Sequence, residues 1–302
     1  MTPRQRPSAS PAPDGGPFEL PGRAGGRDAV LLLHGLTGST FELRPLAERL
    51  HRAGFRCLAP VMAGHGGAPS ALVGVAFTEW VAKAARDLER LAGARRTVVV
   101  GCSMGALVAC ALAHEHPGRV DALVLLAPAL ELSWPGRLAA LLGRCGLARV
   151  IIPKAAGSDV RDPEMRRRNP GLSGVPLGAV TELTRLAAQV DRELPGIAVP
   201  TLVVIGGHDH TVTLAGARRL ARRLGSGPTS VHVLPESQHL VAIDVEGERC
   251  ADEVLAFLEA LPVPGQRSRS GRPRRKGPTS TTRTTRRVAR RSSKKAPRKP
   301  KR

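Results

Sequence analysis

The sequence contains no tyrosine, and only two tryptophans and five phenylalanines occur among its 302 residues. So few aromatic rings give no sign of a site that stacks bases or sugars. No run of about eighteen consecutive apolar residues occurs, which argues against a membrane-spanning helix. The N-terminal residues also lack an apolar stretch of signal-peptide length. Residues 1–17 are therefore predicted to be a disordered leader and not a secretion signal.

Cysteines are few and dispersed, and no two of them form a C-x-x-C pair. They are Cys57, Cys102, Cys110, Cys145 and Cys250. An odd, scattered set favours reduced thiols in a cytoplasmic protein over a disulfide framework or a zinc site. His208 and His210 flank Asp209, but two histidines without a further ligand cluster are weak support for a metal. We predict no metal and no cofactor.

Acidic residues are absent from the C-terminal segment. Residues 263–302 contain 17 of the 46 Lys and Arg residues and no Asp or Glu, whereas the rest of the chain holds 29 basic and 25 acidic residues. Low apolar content and like charge predict a disordered basic tail over residues 262–302. Its composition resembles the tails of linker histones, and it would contact nucleic acid or another anionic surface without reading sequence. A merely solubilising tail is the alternative.

Between these segments, short β-rich runs alternate with helical patterns. The run DAVLLLHG at residues 28–35 is apolar until its closing glycine, as is typical of a strand buried on both faces. Further strands are predicted in FRCLAPV, TVVVG, VDALVLLAP, PTLVVIGG and SVHVLPE, and helices in FELRPLAERLHRAG, TEWVAKAARDLERLAG, GALVACALAHEHPG, TLAGARRLARRLG and EGERCADEVLAFLEAL. The alternation predicts a parallel sheet with helices on both faces. From about 129 to 195 only helical fragments are visible, which predicts an inserted helical cap.

One serine lies between two glycines, at the point where a predicted strand gives way to a helix. The sequence there is GCSMG, residues 101–105. In a nucleophile elbow, this sharp turn lifts the Ser103 hydroxyl clear of the sheet. Gly101 and Gly105 are needed because a Cβ atom would collide with the neighbouring strand and helix. The motif alone is only moderately specific, and a tight turn without chemistry is the alternative.

A serine hydroxyl is a poor nucleophile unless a base takes its proton, so a histidine and a carboxylate are expected downstream. Asp209 lies just beyond one predicted strand and His239 follows the next. Open α/β sheets collect their ligands at those strand ends. Other acids follow predicted strands less well; they are Asp159, Asp191 and Asp244.

A glycine-rich loop, HGLTGS, follows the first predicted strand. Backbone amides in such a loop can stabilise an oxyanion together with an amide at a helix N-terminus. Leu36 and Met104 are the predicted donors. We expect His34 to fix the loop by hydrogen bonds, with a strand-end histidine of no special role as the alternative. His65 is expected to be structural or to lie at the entrance of the site.

The motifs HGLTGS, GHG, GCSMG, PTLVVIGGHDHTV and ESQHL occur in this order. Together they resemble the α/β-hydrolase superfamily, and the first part is similar to its carboxylesterase and monoacylglycerol lipase branch. The resemblance runs from about Phe18 to Leu261. It implies an α/β-hydrolase domain over residues 18–261, with a mostly parallel sheet flanked by helices and a helical cap insertion. The residues it implies are Ser103, Asp209 and His239 as the catalytic triad and Leu36 and Met104 as the oxyanion hole.

The triad predicts cleavage of short-to-medium acyl esters or monoacylglycerols through an acyl-enzyme. Apolar residues of the insertion are expected to line the acyl pocket or to pack the cap onto the core; they are Leu130, Leu132, Trp134, Leu138, Leu141, Leu142 and Leu147. The predicted partner is therefore a small apolar ester. Thioester or amide hydrolysis by the same triad stays open, as does a hydrolase body tethered to nucleic acid by its basic tail.

Overall fold

The structure is a computed structural model, and it describes residues 15–23, 28–155 and 157–262. The disordered leader predicted at residues 1–17 therefore lies outside the described residues except for 15–17. The basic tail predicted at 262–302 lies outside them except for residue 262. Within the described ranges, no helix is both long and apolar enough to cross a membrane.

Seven strands form the central sheet, in the order β1-β3-β2-β4-β5-β8-β9. Their bounds are β1 Phe18–Leu20, β2 Asp28–Leu33, β3 Arg56–Ala59, β4 Arg96–Cys102, β5 Ala122–Leu126, β8 Thr201–Gly206 and β9 Thr229–Leu234. Every neighbouring pair is parallel except β1, which pairs antiparallel with β3. This mostly parallel sheet confirms the predicted fold class.

Helices cover both faces of the sheet. Their bounds are α1 Arg44–Arg52, α2 Phe77–Glu89, α3 Met104–Glu115, α4 Trp134–Leu142, α5 Pro163–Arg168, α6 Leu177–Glu193, α7 Leu214–Arg223 and α8 Gly247–Ala260. Along β2, Leu31 and Leu33 pack under α2, α3, α6 and α7. Val30 and Leu32 pack on the other face, under α1 and α8. This alternation explains why β2 is apolar at nearly every position.

Residues 127–200 connect β5 to β8 and include the insertion predicted at about 129–195. It contains α4, α5 and α6, in agreement with the helical fragments predicted there. It also contains two strands that were not predicted, β6 Ile151–Pro153 and β7 Gly174–Pro176, which pair antiparallel. A strand of three residues is too short to show a period of two in the sequence. The division into an α/β domain and a separate cap stays a prediction.

Strand order decides where the functional side chains meet. The strands β4, β5, β8 and β9 are consecutive and parallel. Their carboxyl ends therefore lie along one edge, which is where open α/β sheets bind ligands. Ser103 follows β4, whereas Asp209 and His239 follow β8 and β9.

Candidate active site

Ser103 joins β4 to α3 through a strained turn. Its φ of 55° and ψ of −112° are angles that residues other than glycine rarely adopt. The Ser103 amide donates to the Leu126 carbonyl at 2.8 Å, and the Ser103 carbonyl accepts from the amides of Ala106 and Ala129. The neighbouring strand and the loop after it therefore hold the serine in this conformation.

Both glycines of the turn are required by their surroundings. A Cβ atom on Gly101 would lie 2.2 Å from the Gly105 carbonyl oxygen. A Cβ atom on Gly105 would lie 2.0 Å from the Leu33 carbonyl oxygen. Both collisions expected from the GCSMG motif are therefore present.

His239 and Asp209 are joined side chain to side chain. The His239 Nδ1 atom lies 2.8 Å from Asp209 Oδ2, and the two side chains are only 8% and 2% exposed. The other carboxylate oxygen, Oδ1, accepts from the amides of Thr211 and Val212, each at 2.8 Å. These two backbone amides therefore fix the orientation of the carboxylate that accepts from the imidazole. With the Nδ1 proton directed to Asp209, the Nε2 atom is the proton acceptor that remains.

Charges around His239 set its basicity. Burial disfavours the protonated ring, but the charge and hydrogen bond of Asp209 outweigh burial, with help from the charges of Asp159 and Glu42. The His239 pKa is therefore raised above its ordinary value of 6.5. A raised pKa makes the neutral imidazole a stronger base.

A cavity of about 420 Å³ opens onto these groups. Ser103 and His239 lie in its wall, together with Gly35 and Leu36 of the glycine-rich loop. Much of the remaining wall is apolar and comes from the insertion; it includes Leu132, Ala139, Val175, Leu177, Val180 and Leu183. The structure thus brings the predicted nucleophile and base to one apolar cavity, with Asp209 hydrogen-bonded to the base.

The leucine-rich part of the insertion lies only partly where the sequence predicts, since Leu130 packs on the core but several other residues do not. Of the seven residues named for the acyl pocket, all of them described, Leu132 alone lines the cavity. Trp134, Leu138, Leu141 and Leu147 are 66%, 41%, 54% and 43% exposed. These four therefore neither line the cavity nor pack the insertion onto the core, and the prediction is wrong for them. Helix α4 turns Trp134, Leu138 and Leu141 outward and lines the cavity with its smaller residues, whereas α6 supplies the larger apolar side chains of the wall.

The glycine-rich loop after β2 is held by His34. Its Nδ1 atom donates to the Gly35 carbonyl at 2.9 Å, and its Nε2 atom accepts from the Met62 amide at 3.1 Å. Burial lowers the pKa of His34 to about 3, so the ring is neutral and can both donate and accept. The expected fixing of the loop by His34 is confirmed.

His65 supports the same loop from its other side. Its Nε2 atom accepts from the Thr37 amide at 3.0 Å, and its Nδ1 atom donates to the Ala63 carbonyl at 2.9 Å. Burial lowers the pKa of His65 as well. The two imidazoles also contact each other edge to face, with ring centroids 4.9 Å apart. His65 is therefore structural, which is one of the two roles expected for it.

Leu36 and Met104 carry the two amides predicted for the oxyanion hole. Leu36 lines the cavity, and Met104 is the buried first residue of α3. The loop passes close to the serine, because a Cβ atom on Gly35 would lie 3.2 Å from Ser103 Cβ. Both amides therefore belong to chain segments that meet at Ser103.

Among the other acids considered from the sequence, Asp159 contacts both catalytic loops. Its carboxylate accepts from the His210 amide and from the Thr211 hydroxyl, both at 3.0 Å. The main-chain carbonyl of Asp159 accepts from the amides of His239 and Leu240, both at 3.2 Å. One residue of the insertion therefore contacts the loop of Asp209 and the loop of His239. Sequence reasoning treated it only as a competitor of Asp209.

Asp191 and Asp244 have hydrogen-bond partners of their own, and Asp244 contacts the His239 loop through the Gln238 amide. Asp191 pairs with Arg219 and Arg223 of α7. The Asp244 carboxylate accepts from four backbone amides, those of Arg161, Asp162, Gln238 and Val245. Neither carboxylate is hydrogen-bonded to the His239 ring among the described residues.

Two alternatives to serine chemistry were considered at this site, a reactive Cys102 thiolate and a bound metal ion. The Cys102 thiol, next to Ser103, is buried, and burial raises its pKa well above the ordinary value, which disfavours the reactive thiolate. Within the part of the chain that the structure describes, no three His, Cys, Asp or Glu side chains are grouped to hold a metal ion.

Known proteins share both the sequence pattern and the fold. Residues 25–246 match the family model described as serine aminopeptidase, S33. The chain is 28% identical over 230 residues to a thermostable monoacylglycerol lipase of Bacillus sp. (strain H-257), covering 76% of this chain and 89% of that protein. It is 27% identical over 239 residues to a carboxylesterase of Bacillus subtilis (strain 168), covering 78% and 94%.

Solved structures extend this likeness to three dimensions. A structure from work on LipS and LipT, two metagenome-derived lipolytic enzymes, superimposes with a TM-score of 0.74 at 25% identity, covering 82% of this chain and 98% of the other. A soluble variant of monoglyceride lipase from Saccharomyces cerevisiae gives a TM-score of 0.69 at 14% identity, over 85% and 98%, which is a likeness of fold. The chain therefore belongs to the serine aminopeptidase S33 family, and it is a lipase- or esterase-like serine hydrolase with the α/β-hydrolase fold.

Proposed function

We propose that this protein hydrolyses carboxylic esters, either short-to-medium acyl esters or monoacylglycerols, through an acyl-enzyme on Ser103. The observation that carries the proposal is the hydrogen bond of 2.8 Å between buried His239 and Asp209, beside a cavity that also contains the strained Ser103. A nucleophile, an oriented base and an apolar acyl site then lie within one cavity.

In the first step, His239 Nε2 takes the Ser103 hydroxyl proton while Oγ bonds to the ester carbonyl carbon. The carbonyl oxygen becomes an oxyanion, which the amides of Leu36 and Met104 stabilise. The intermediate collapses and the bond to the alcohol oxygen breaks, so the alcohol leaves with the proton from His239. Water then repeats the sequence on the acyl-enzyme, which releases the acid and restores Ser103.

The proposed substrate class rests on the cavity and on the relatives. A volume of about 420 Å³ with leucine and valine walls suits a flexible acyl chain of modest length. The relatives named above are a monoacylglycerol lipase and a carboxylesterase. Amide cleavage is the second candidate, because the matched family is described as serine aminopeptidase.

Graded 4-nitrophenyl acyl esters, with chains of about two to twelve carbons, test the proposal. We expect a maximum of kcat/KM at short-to-medium length and a loss of about 10³-fold or more in Ser103→Ala. Ser226→Ala is the matched control, because that serine is exposed and lies away from the cavity. The matching 4-nitroanilides test the amide alternative. Equal turnover by Ser103→Ala and wild type would refute the mechanism.

A further inference from the structure

A lysine contributes a positive charge to the wall of the active-site cavity. Lys154 directly follows β6 in the insertion, and its side chain lines the same cavity as Ser103 and His239. Its Nζ atom donates to the Thr37 hydroxyl at 3.3 Å. No carboxylate in the described ranges forms an ion pair with it, whereas four arginines of the insertion are paired with glutamates.

The hydrogen bonds of this ammonium are incomplete. An ammonium has three N–H donors, and the described residues supply one acceptor, the Thr37 hydroxyl. Burial lowers the pKa of Lys154, opposed by the charge of Glu42. A partly buried cation without a paired anion is costly. The remaining donors therefore favour a partner that enters the cavity.

Glu42 lies in the same wall but does not pair with Lys154. It is 4% exposed, and its Oε1 atom accepts from Asn169 Nδ2 at 3.5 Å. Its Oε2 atom has no hydrogen-bond partner of normal geometry among the described residues. Burial raises its pKa, against the opposing effects of the Lys154 charge, Asn169, His239 and the Gly35 amide. In its protonated form Glu42 would add a second donor to this part of the cavity.

We propose that Lys154 binds a carboxylate carried by the substrate, so that the preferred ester has an anionic group as well as an apolar chain. This inference rests on the proposed esterase function. The apolar chain would lie against Leu132, Val180 and Leu183, and the carboxylate would accept from Lys154. A single negative charge fits better than a phosphate dianion, because Lys154 is the one lysine or arginine among the described lining residues, and the carboxyl groups of Glu42 and Asp159 lie in the same wall.

Two pairs of esters test the proposal and locate the anion. In the acyl pair, mono-4-nitrophenyl glutarate is compared with methyl 4-nitrophenyl glutarate, in which a methyl ester replaces the free carboxylate. In the alcohol pair, 3-butyryloxybenzoate is compared with its methyl ester. The quantity measured is kcat/KM for the anionic ester divided by kcat/KM for its neutral partner. We expect Lys154→Gln to lower this ratio about 10- to 100-fold in one pair, as for loss of a charge-assisted hydrogen bond.

Two further variants make the result interpretable. Lys154→Arg keeps the charge and should retain most of the ratio. Lys83→Gln is the matched control, because that lysine of α2 pairs with Asp87 and does not line the cavity; its ratio should equal that of the wild type. Lys154→Met replaces Lys154→Gln if the latter does not fold.

Ratios within twofold of wild type in both pairs would overturn the inference while the esterase function stands. If the wild-type protein cleaves none of the four esters in a Ser103-dependent way, the proposed function fails and the inference falls with it.

Discussion

The Asp159→Asn substitution tests whether the Asp159 side chain positions the catalytic groups or only packs the insertion against them. The Asp159 carboxylate accepts from the Thr211 hydroxyl, and the Thr211 amide in turn donates to Asp209, which is hydrogen-bonded to His239. The main-chain bonds of residue 159 to the His239 and Leu240 amides do not depend on the side chain. The substitution therefore alters the support of Asp209 and removes one negative charge, while the contact to the His239 loop stays.

The size of the effect follows from those contacts. The carboxylate also accepts from the His210 amide through Oδ2. Its other oxygen, Oδ1, lies 3.0 Å from His210 Nδ1, but the His210 side chain is 69% exposed, so water replaces this contact when it is lost. The Thr211 hydroxyl donates to Oδ2, and this contact bears on Asp209; the asparagine oxygen can keep it, but as a neutral and weaker hydrogen bond. A loss of about 1.4 kcal/mol in the alignment of the acid and base corresponds to about a tenfold fall in kcat/KM.

The pH profile supplies a readout that packing alone would not move. The Asp159 charge is one of the causes that raise the His239 pKa. Its removal lowers that pKa, and because the reaction needs the neutral imidazole, the acidic limb of kcat/KM moves to lower pH. The assay is hydrolysis of 4-nitrophenyl butyrate from pH 4 to 9, with Asp191→Asn as the matched control in α6. An unchanged rate and an unchanged acidic limb in Asp159→Asn would refute this reasoning.

Two further predictions concern the elbow and the tail. Gly105→Ala should destabilise the protein by about 3 kcal/mol or more, measured by urea unfolding, because its Cβ atom would meet the Leu33 carbonyl. Gly67→Ala is its control, because a Cβ atom at that position has no heavy atom within 4 Å. Equal urea midpoints for the Gly105→Ala and Gly67→Ala variants would contradict the prediction. Deletion of residues 263–302 should leave ester hydrolysis intact. If the tail binds nucleic acid, as its composition predicts, the full chain is retained on DNA in a way that weakens as salt rises, and the deletion abolishes that retention. Unchanged DNA retention after the deletion would contradict the prediction that residues 263–302 bind nucleic acid.

Much of the fold was predictable because its signals are local. The buried strands β2, β4, β5 and β8 each contain a continuous apolar run, and the GCSMG motif marks the turn after β4. By contrast, β1, β6 and β7 have three residues each, so no periodicity reveals them. In helix α4 the periodicity indicates an apolar stripe, but a stripe does not specify what covers it, and the structure leaves Trp134 and Leu141 exposed.

The candidate site was predictable in its order and less so in its surroundings. Asp209 and His239 follow strands whose order along the chain is visible, and the structure joins them by a hydrogen bond. Nothing local to Glu42, Lys154 or Asp159 indicates that they approach this cavity, because their contacts join segments more than a hundred residues apart or cross from the insertion to other loops. Such contacts depend on how the insertion packs, which sequence patterns do not specify.

The central claim is that Asp209 and His239 make the Ser103 hydroxyl nucleophilic. Labelling the purified protein with a fluorophosphonate probe, followed by peptide mass spectrometry, tests it most directly. We predict one covalent adduct on Ser103, whose formation slows about 10³-fold or more in His239→Ala. The absence of labelling on Ser103, or labelling at the wild-type rate in His239→Ala, would contradict it.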